Sequence, residues 1–141
     1  MKILSIDDSK TIRATVKSIV DEIGIELLEA EDGLAGLKVL EEHSGGTPMG
    51  ALHSSGTPDI DLILLDWEMP NMNGYEFLKT VKMDSRYRSI PVIMLTSVSQ
   101  KERMIEAISS GAEQYLTKPF TSETLLTKIV QVLGIDSLEG L

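Results

Sequence analysis

The sequence contains a continuous apolar run that ends in an acid, Leu62-Ile63-Leu64-Leu65-Asp66. Two more apolar runs are each followed directly by a polar residue, Ile3-Leu4-Ser5-Ile6 by Asp7 and Val92-Ile93-Met94-Leu95 by Thr96. Short continuous runs of this kind are typical of strands that are buried on both faces of a parallel sheet. We therefore predict three buried strands at these positions. Weaker patterns at 25–29 and 114–117 predict two further strands.

The intervals between these strands carry apolar residues at the helical spacing of three to four. Ser9 is the predicted N-cap of the first helix. Asn73 with Glu76, and Ser99 with Glu102, have the spacing of a capping box ahead of the third and fourth helices. Strand and helix therefore alternate five times. The five apolar stripes are Ile12, Val16, Ile19 and Ile23; Leu34, Leu37 and Leu40; Phe77, Leu78 and Val81; Met104, Ile105 and Ile108; and Leu125, Ile129, Val130 and Leu133.

This alternation predicts an α/β fold in which right-handed crossovers place helices on both faces of one parallel sheet. In open sheets of this type, ligands bind beyond the carboxyl ends of the strands, where the strand order reverses. Asp7 and Asp8 follow the first predicted strand, and Asp66 follows the third. We therefore expect these three carboxylates to meet in one crevice.

Three carboxylates in one crevice repel each other unless a cation neutralises them. Oxygen ligands of this kind suit Mg²⁺, and an Asp that stays ionised beside the ion can attack phosphorus. Lys118 and Thr96 follow or end neighbouring strands and can offset the charge of a transferred phosphoryl group. Each residue has an ordinary structural role when it is taken alone, but their occurrence at four strand ends favours phosphoryl chemistry.

The composition limits the classes of function. A chain of 141 residues fits one domain, and its net charge of −9 opposes binding to nucleic acid or to anionic lipid. We expect no membrane association, because no run approaches the roughly 20 apolar residues of a membrane span and no signal peptide is evident. The absence of cysteine fits a cytoplasmic location.

The segment 43–59 is rich in Gly, Ser, Thr and Pro and is longer than a usual helix-to-strand loop. It contains a near-duplication, His43-Ser44-Gly45-Gly46-Thr47-Pro48 and His53-Ser54-Ser55-Gly56-Thr57-Pro58. We interpret it as a flexible expansion of a surface loop, because the entropic cost of loop closure grows slowly with length. A loop that contacts a partner is the alternative.

Four motifs in chain order resemble the response-regulator receiver family over essentially the whole chain. The resemblance implies a flavodoxin-like (βα)5 three-layer sandwich with the parallel sheet order 2-1-3-4-5. It also implies a receiver domain over 1–135, with 43–59 as an insertion, and a tail at 136–141. The motifs are Ile6-Asp7-Asp8-Ser9, Leu64-Leu65-Asp66-Trp67-Glu68-Met69-Pro70-Asn71-Met72-Asn73-Gly74, Leu95-Thr96-Ser97 and Leu116-Thr117-Lys118-Pro119-Phe120.

The resemblance assigns roles to the acids. Asp66 would accept a phosphoryl group from a sensor histidine kinase, and the receiver would catalyse only its own phosphorylation and dephosphorylation. Asp7, Asp8 and Asp66 would bind Mg²⁺ together with the backbone carbonyl of Glu68.

The resemblance also implies a switch. Thr96 would move to hold one phosphoryl oxygen, Lys118 would pair with another, and Tyr115 would turn inward. The bond before Pro119 would be cis. The surface of the fourth helix, fifth strand and fifth helix would then change and bind a downstream target protein, as in the stand-alone chemotaxis regulators.

Two alternatives stay open. The chain could be a receiver fragment of a longer transcription factor or hybrid kinase. It could instead be an aspartyl phosphatase, which uses Asp, Mg²⁺, Thr and Lys on a similar sheet. Phosphatases of the haloacid-dehalogenase type have an Asp-x-Asp motif after the first strand, whereas here Asp66-Trp67-Glu68 follows the third, so we favour the receiver.

Overall fold

Strands and helices alternate along the whole described chain, as the apolar patterns predict. The structure is a computed structural model that describes residues 1–43, 59–97 and 101–134. No helix within these ranges is long and apolar enough to cross a membrane. The elements are β1 (Lys2–Ile6), α1 (Lys10–Asp21), β2 (Glu26–Ala30), α2 (Gly33–His43), β3 (Leu62–Asp66), α3 (Gly74–Met83), β4 (Val92–Ser97), α4 (Lys101–Ser109), β5 (Gln114–Lys118) and α5 (Ser122–Leu133).

The five strands form one parallel sheet in the order β2-β1-β3-β4-β5, which confirms the predicted order. The strand order reverses between β1 and β3, where Ile6 pairs with Leu65. Asp66 pairs with Leu95 of β4, and Ser97 at the end of β4 pairs with Lys118 of β5. The carboxyl ends of β1, β3, β4 and β5 therefore lie side by side.

Helices cover both faces of the sheet and give two apolar cores. Val16, Ile19 and Val20 of α1 pack with Leu125 and Ile129 of α5 on one face. The other face packs against α2, α3 and α4. Every residue of β3 is buried, since β3 lies in the middle of the sheet and has helices above and below it. This accounts for its continuous apolar sequence.

The predicted helix starts are confirmed where the structure describes them. The side chain of Ser9 accepts a hydrogen bond from the amide of Ile12, and Asn73 and Glu76 form a complete capping box. Ser99, the predicted partner of Glu102, lies outside the described residues, as do most of the 43–59 insertion and the predicted tail at 136–141.

One strand begins later than predicted. The pattern at 25–29 predicts a strand that starts at Ile25, but β2 is Glu26–Ala30. The amide of Ile25 instead donates to the carbonyl of Val20, so Ile25 still belongs to the turn that ends α1. The side chain of Ile25 is buried in the core that α1 and α5 share, which explains why the apolar pattern assigns it to a strand.

Candidate metal and phosphoacceptor site

The three acids that the sequence places at strand ends come together in the structure. One carboxylate oxygen from each of Asp7, Asp8 and Asp66 lies within 4.8 Å of the others, and no second group of this kind occurs among the described residues. Asp7 is fully buried and Asp66 is 8% exposed, whereas Asp8 faces solvent. Oδ1 of Asp7 accepts a hydrogen bond from the amide of Ser9 at 2.9 Å, which fixes the carboxylate at the start of α1.

Lys118 completes the cluster from the far side of β4. Its amine lies 2.9 Å from Oδ2 of Asp7 and 3.0 Å from Oδ1 of Asp66. The side chain of Lys118 is 20% exposed, so the two ion pairs are only partly screened by water. The bond between Lys118 and Pro119 is cis, as the family resemblance implies.

The carboxylates of Asp7, Asp8 and Asp66 carry more negative charge than the amine of Lys118 can offset. Burial raises the pKa of Asp66 to about 6; the charge of Lys118 opposes the shift, and the charges of Asp7 and Asp8 add to it. Burial disfavours the charged form of Lys118, but the hydrogen bond to Asp7 and the charges of Asp66 and Asp7 outweigh it, so the pKa of Lys118 is raised. A divalent cation fits this site, because the donors are hard carboxylate oxygens and carry more negative charge than Lys118 can offset.

Thr96 brings an unpaired hydroxyl to the same edge of the sheet. The residue is 1% exposed, and its Oγ1 atom has no hydrogen-bond partner within the part of the chain that the structure describes. A buried hydroxyl without a partner costs about 1–3 kcal/mol. Such groups in native proteins call for an explanation, and a phosphoryl oxygen at the neighbouring Asp66 is one.

The loop after Asp66 is held tightly to the start of α3. The amide of Gly74 donates to the carbonyl of Trp67 at 2.8 Å. A Cβ atom at position 74 would lie 2.2 Å from the carbonyl oxygen of Asp66, so only glycine allows this approach. Glu68, whose backbone carbonyl is the expected fourth metal ligand, lies within this loop.

An aromatic contact beside Asp66 was not predicted from the sequence. The rings of Trp67 and Tyr75 are stacked, with centroids 5.4 Å apart and an angle of 15° between their planes. The amine of Lys79 lies 4.9 Å from the ring centroid of Tyr75. Helical spacing of Tyr75 and Lys79 could have indicated the second contact, but the stack depends on the loop conformation.

The predicted switch residue Tyr115 faces outward. It is 39% exposed on β5, and the amine of Lys128 lies 5.7 Å from its ring centroid. On α4, Ile105 is 72% exposed and Ile108 is 44% exposed. The exposed faces of α4 and β5 therefore carry apolar groups.

Comparison with known proteins defines the family. The model of the response regulator receiver domain matches residues 3–130, and the chain belongs to this family. It is 36% identical over 135 residues to the chemotaxis protein CheY1 of Helicobacter pylori, covering 95% of this chain and 98% of that protein. The structure of the Vibrio cholerae chemotaxis protein CheY4 is 35% identical with a TM-score of 0.78, covering 94% of this chain and 98% of that one. The chain is thus a receiver of two-component signalling, and such receivers are signalling proteins rather than enzymes of metabolism.

A more distant receiver shares the fold. The receiver domain of a Pseudomonas aeruginosa sensor histidine kinase is 20% identical with a TM-score of 0.76, covering 94% of this chain and 97% of that one. Its crystal structure has a magnesium ion coordinated in the active-site cleft. At this identity the likeness concerns the fold alone.

Proposed function

We propose that Asp66 accepts a phosphoryl group from the phosphohistidine of a sensor kinase, in a reaction that depends on Mg²⁺. The observation that carries this proposal is the convergence of Asp7, Asp8 and Asp66 within 4.8 Å, with the amine of Lys118 on two of them. Asp7, Asp8, Asp66 and the backbone carbonyl of Glu68 would hold the ion. When bound, Mg²⁺ would offset the negative charge of the carboxylates and of the phosphoryl group.

The chain's own residues then have distinct tasks. A carboxylate oxygen of Asp66 attacks phosphorus, the bond from phosphorus to the imidazole nitrogen breaks, and the leaving imidazole keeps the electron pair. The amine of Lys118 offsets charge on one phosphoryl oxygen, and the hydroxyl of Thr96 donates a hydrogen bond to another. Hydrolysis of the acyl phosphate by water returns Asp66 to its starting state.

The proposal extends to the output. The hydroxyl of Thr96 has no hydrogen-bond partner among the described residues and would gain one from the phosphoryl group, so phosphorylation favours a conformation in which Thr96 moves and Tyr115 turns inward. The exposed apolar groups of α4 and β5, with α5, would bind a downstream target protein. The two chemotaxis relatives at 35–36% identity support a free-standing, chemotaxis-like role. The cytoplasmic location stays a prediction.

The test is phosphorylation with acetyl phosphate, followed by intact mass spectrometry. We expect wild type to gain one phosphoryl group with Mg²⁺ and none with EDTA, and Asp66→Asn to gain none. A mass gain that survives the substitution would place the acceptor elsewhere. Sustained hydrolysis of a simple phosphomonoester would favour the phosphatase alternative instead.

A further inference from the structure

A third buried acid, Asp32, lies outside the metal cluster and joins two loops through hydrogen bonds. It stands directly before α2 and is 7% exposed. Its Oδ1 atom accepts a hydrogen bond from the amide of Ala35 at 2.8 Å, in the first turn of α2. Its Oδ2 atom accepts one from the side-chain amide of Asn71 at 2.8 Å. The second bond joins the β2–α2 turn to the loop that follows Asp66.

Asn71 has an unusual backbone for a residue with a side chain. Its φ is 68°, and it is the one non-glycine residue with positive φ in the part of the chain that the structure describes. This conformation costs about 1–2 kcal/mol for most residues, although Asn tolerates it better than others. Strained residues persist only where their surroundings fix them, and they cluster at functional sites. Two contacts hold this one: the amide of Met72 donates to the carbonyl of Pro70 at 2.7 Å across Asn71, and the side-chain amide of Asn71 donates to Asp32.

Packing reinforces the polar contact. A Cβ atom at Gly33 would lie 2.7 Å from Cγ of Met72 and 2.8 Å from the carbonyl oxygen of Met72. The β2–α2 turn and the loop after Asp66 thus touch at neighbouring residues, Asp32 on Asn71 and Gly33 on Met72.

The hydrogen bonds from Ala35 and Asn71 also keep the pKa of Asp32 below its usual value, so its carboxylate is ionised at neutral pH and accepts both bonds strongly.

We propose that Asp32 and Asn71 form a positioning pair for the metal site, which holds the loop 67–73 and with it the backbone carbonyl of Glu68. The inference rests on the proposed function. The loop is fixed at its far end by the bond between Gly74 and Trp67, and the Asp32–Asn71 bond fixes its middle. Mg²⁺ requires nearly ideal octahedral geometry, so a loop that is free to move weakens binding even though neither residue touches the ion.

Two substitutions remove the Asp32–Asn71 hydrogen bond and are chosen to leave the local backbone structure intact. Asp32→Ser keeps a side-chain oxygen for the amide of Ala35 but is too short to reach Asn71. Asn71→Gly removes the side-chain amide and suits a φ of 68°. We expect each to raise the Mg²⁺ dissociation constant roughly tenfold by isothermal titration calorimetry, while the rate of phosphorylation at saturating Mg²⁺ matches wild type. The double variant is expected to bind no more weakly than either single, because all three lack the same bond.

A readout without metal tests the same contact. In EDTA, we expect hydrogen exchange of the amides in 67–74 to be faster in both variants than in wild type. Glu113→Gln is the matched control, because Glu113 lies before β5 at the opposite end of the sheet from Asp66; its Mg²⁺ affinity is expected to equal that of wild type.

Unchanged Mg²⁺ affinity in Asn71→Gly would overturn the positioning role. A double variant whose loss of Mg²⁺ affinity equals the sum of the losses in the two single variants would overturn it as well. If Asp32→Ser fails to fold, Asn71→Gly alone decides the outcome. If wild type itself neither binds Mg²⁺ nor gains a phosphoryl group, the proposed function fails. The exchange rates in EDTA then still decide whether the pair holds the loop.

Discussion

Lys118 reaches from the end of β5 past β4 to Asp66 at the end of β3, where the amine and the carboxylate lie 3.0 Å apart. Because β4 separates the two strands, the pair spans two strand spacings, roughly 10 Å of sheet. A long, flexible side chain with a compact charge can cover this distance. The amine of Lys118 therefore lies where a phosphoryl group on Asp66 would place its negative charge.

Removing this amine is expected to separate metal binding from phosphoryl transfer. We predict that Lys118→Ala slows phosphorylation by acetyl phosphate about 10²-fold or more, because charge on the phosphoryl oxygens loses its partner. Its Mg²⁺ affinity at pH 7 is expected to rise, since a competing positive charge has gone. Intact mass spectrometry and calorimetry measure the two effects. Lys128→Ala, which removes the cation over Tyr115, is the control and is expected to change neither. A wild-type rate in Lys118→Ala would contradict the assignment.

The raised pKa of Asp66 predicts that this residue destabilises the metal-free fold at neutral pH. Between the unfolded pKa of 3.8 and the folded value of about 6, the folded state binds the proton more tightly than the unfolded state. Stability of the wild type therefore falls as pH rises through this window, by up to about 3 kcal/mol. Below about pH 4 both states are protonated and this loss disappears.

Asp66→Asn is therefore expected to be more stable than wild type in EDTA at pH 7, and to lose this advantage near pH 4. Urea denaturation at the two pH values measures the difference in the free energy of unfolding. Saturating Mg²⁺ at pH 7 is expected to stabilise wild type more than the variant, because the ion binds the ionised folded site. A variant that is less stable than wild type at pH 7 in EDTA would show that the Lys118 ion pair outweighs burial and repulsion.

The unpaired hydroxyl of Thr96 predicts opposite effects on stability and on signalling. Thr96→Val replaces the buried hydroxyl with a methyl group. Among the described residues this hydroxyl has no hydrogen-bond partner. We expect the metal-free protein to be as stable as wild type or more so, because an unsatisfied buried group costs about 1–3 kcal/mol. Phosphorylation by acetyl phosphate is expected to slow. Thr96→Ser keeps the hydroxyl and is expected to retain the wild-type rate; equal rates in all three proteins would exclude a role for it.

The ends of the 43–59 insertion are joined in the structure. The amide of Asp59 donates to the carbonyl of His43 at 3.1 Å, and Nδ1 of His43 lies 3.1 Å from Oδ1 of Asp59. Asp59 also forms an ion pair with Lys2 at the start of β1. These contacts lie at the end of the sheet where strands begin, away from Asp66.

Replacing 44–58 with a short Gly-Ser linker is therefore expected to leave phosphorylation of Asp66 and Mg²⁺ affinity unchanged. Stability is expected to rise by about 1 kcal/mol, because each halving of loop length saves roughly 0.6 kcal/mol of closure entropy. Urea denaturation and acetyl phosphate labelling provide the measurements. Loss of phosphorylation in a folded variant would mean that the insertion acts on the site.

The strands and the acid cluster could be predicted from sequence because local rules decide them. A central strand such as β3 has to be apolar at every position, and parallel topology brings strand ends to one edge wherever the loops go. The Asp32–Asn71 bond could not be predicted in this way. It joins residues 39 apart, and it depends on how two turns pack and on the left-handed backbone of Asn71. The Trp67–Tyr75 stack depends on the same loop.

The glycine at the start of α3 limits how the molecule can transmit a signal. Because the backbone of Gly74 lies directly against the carbonyl of Asp66, we expect the end of β3 and the start of α3 to move together. A structural change that begins at Asp66 is then expected to appear first in the neighbouring strand β4, which carries Thr96, rather than as a shift of α3 against β3.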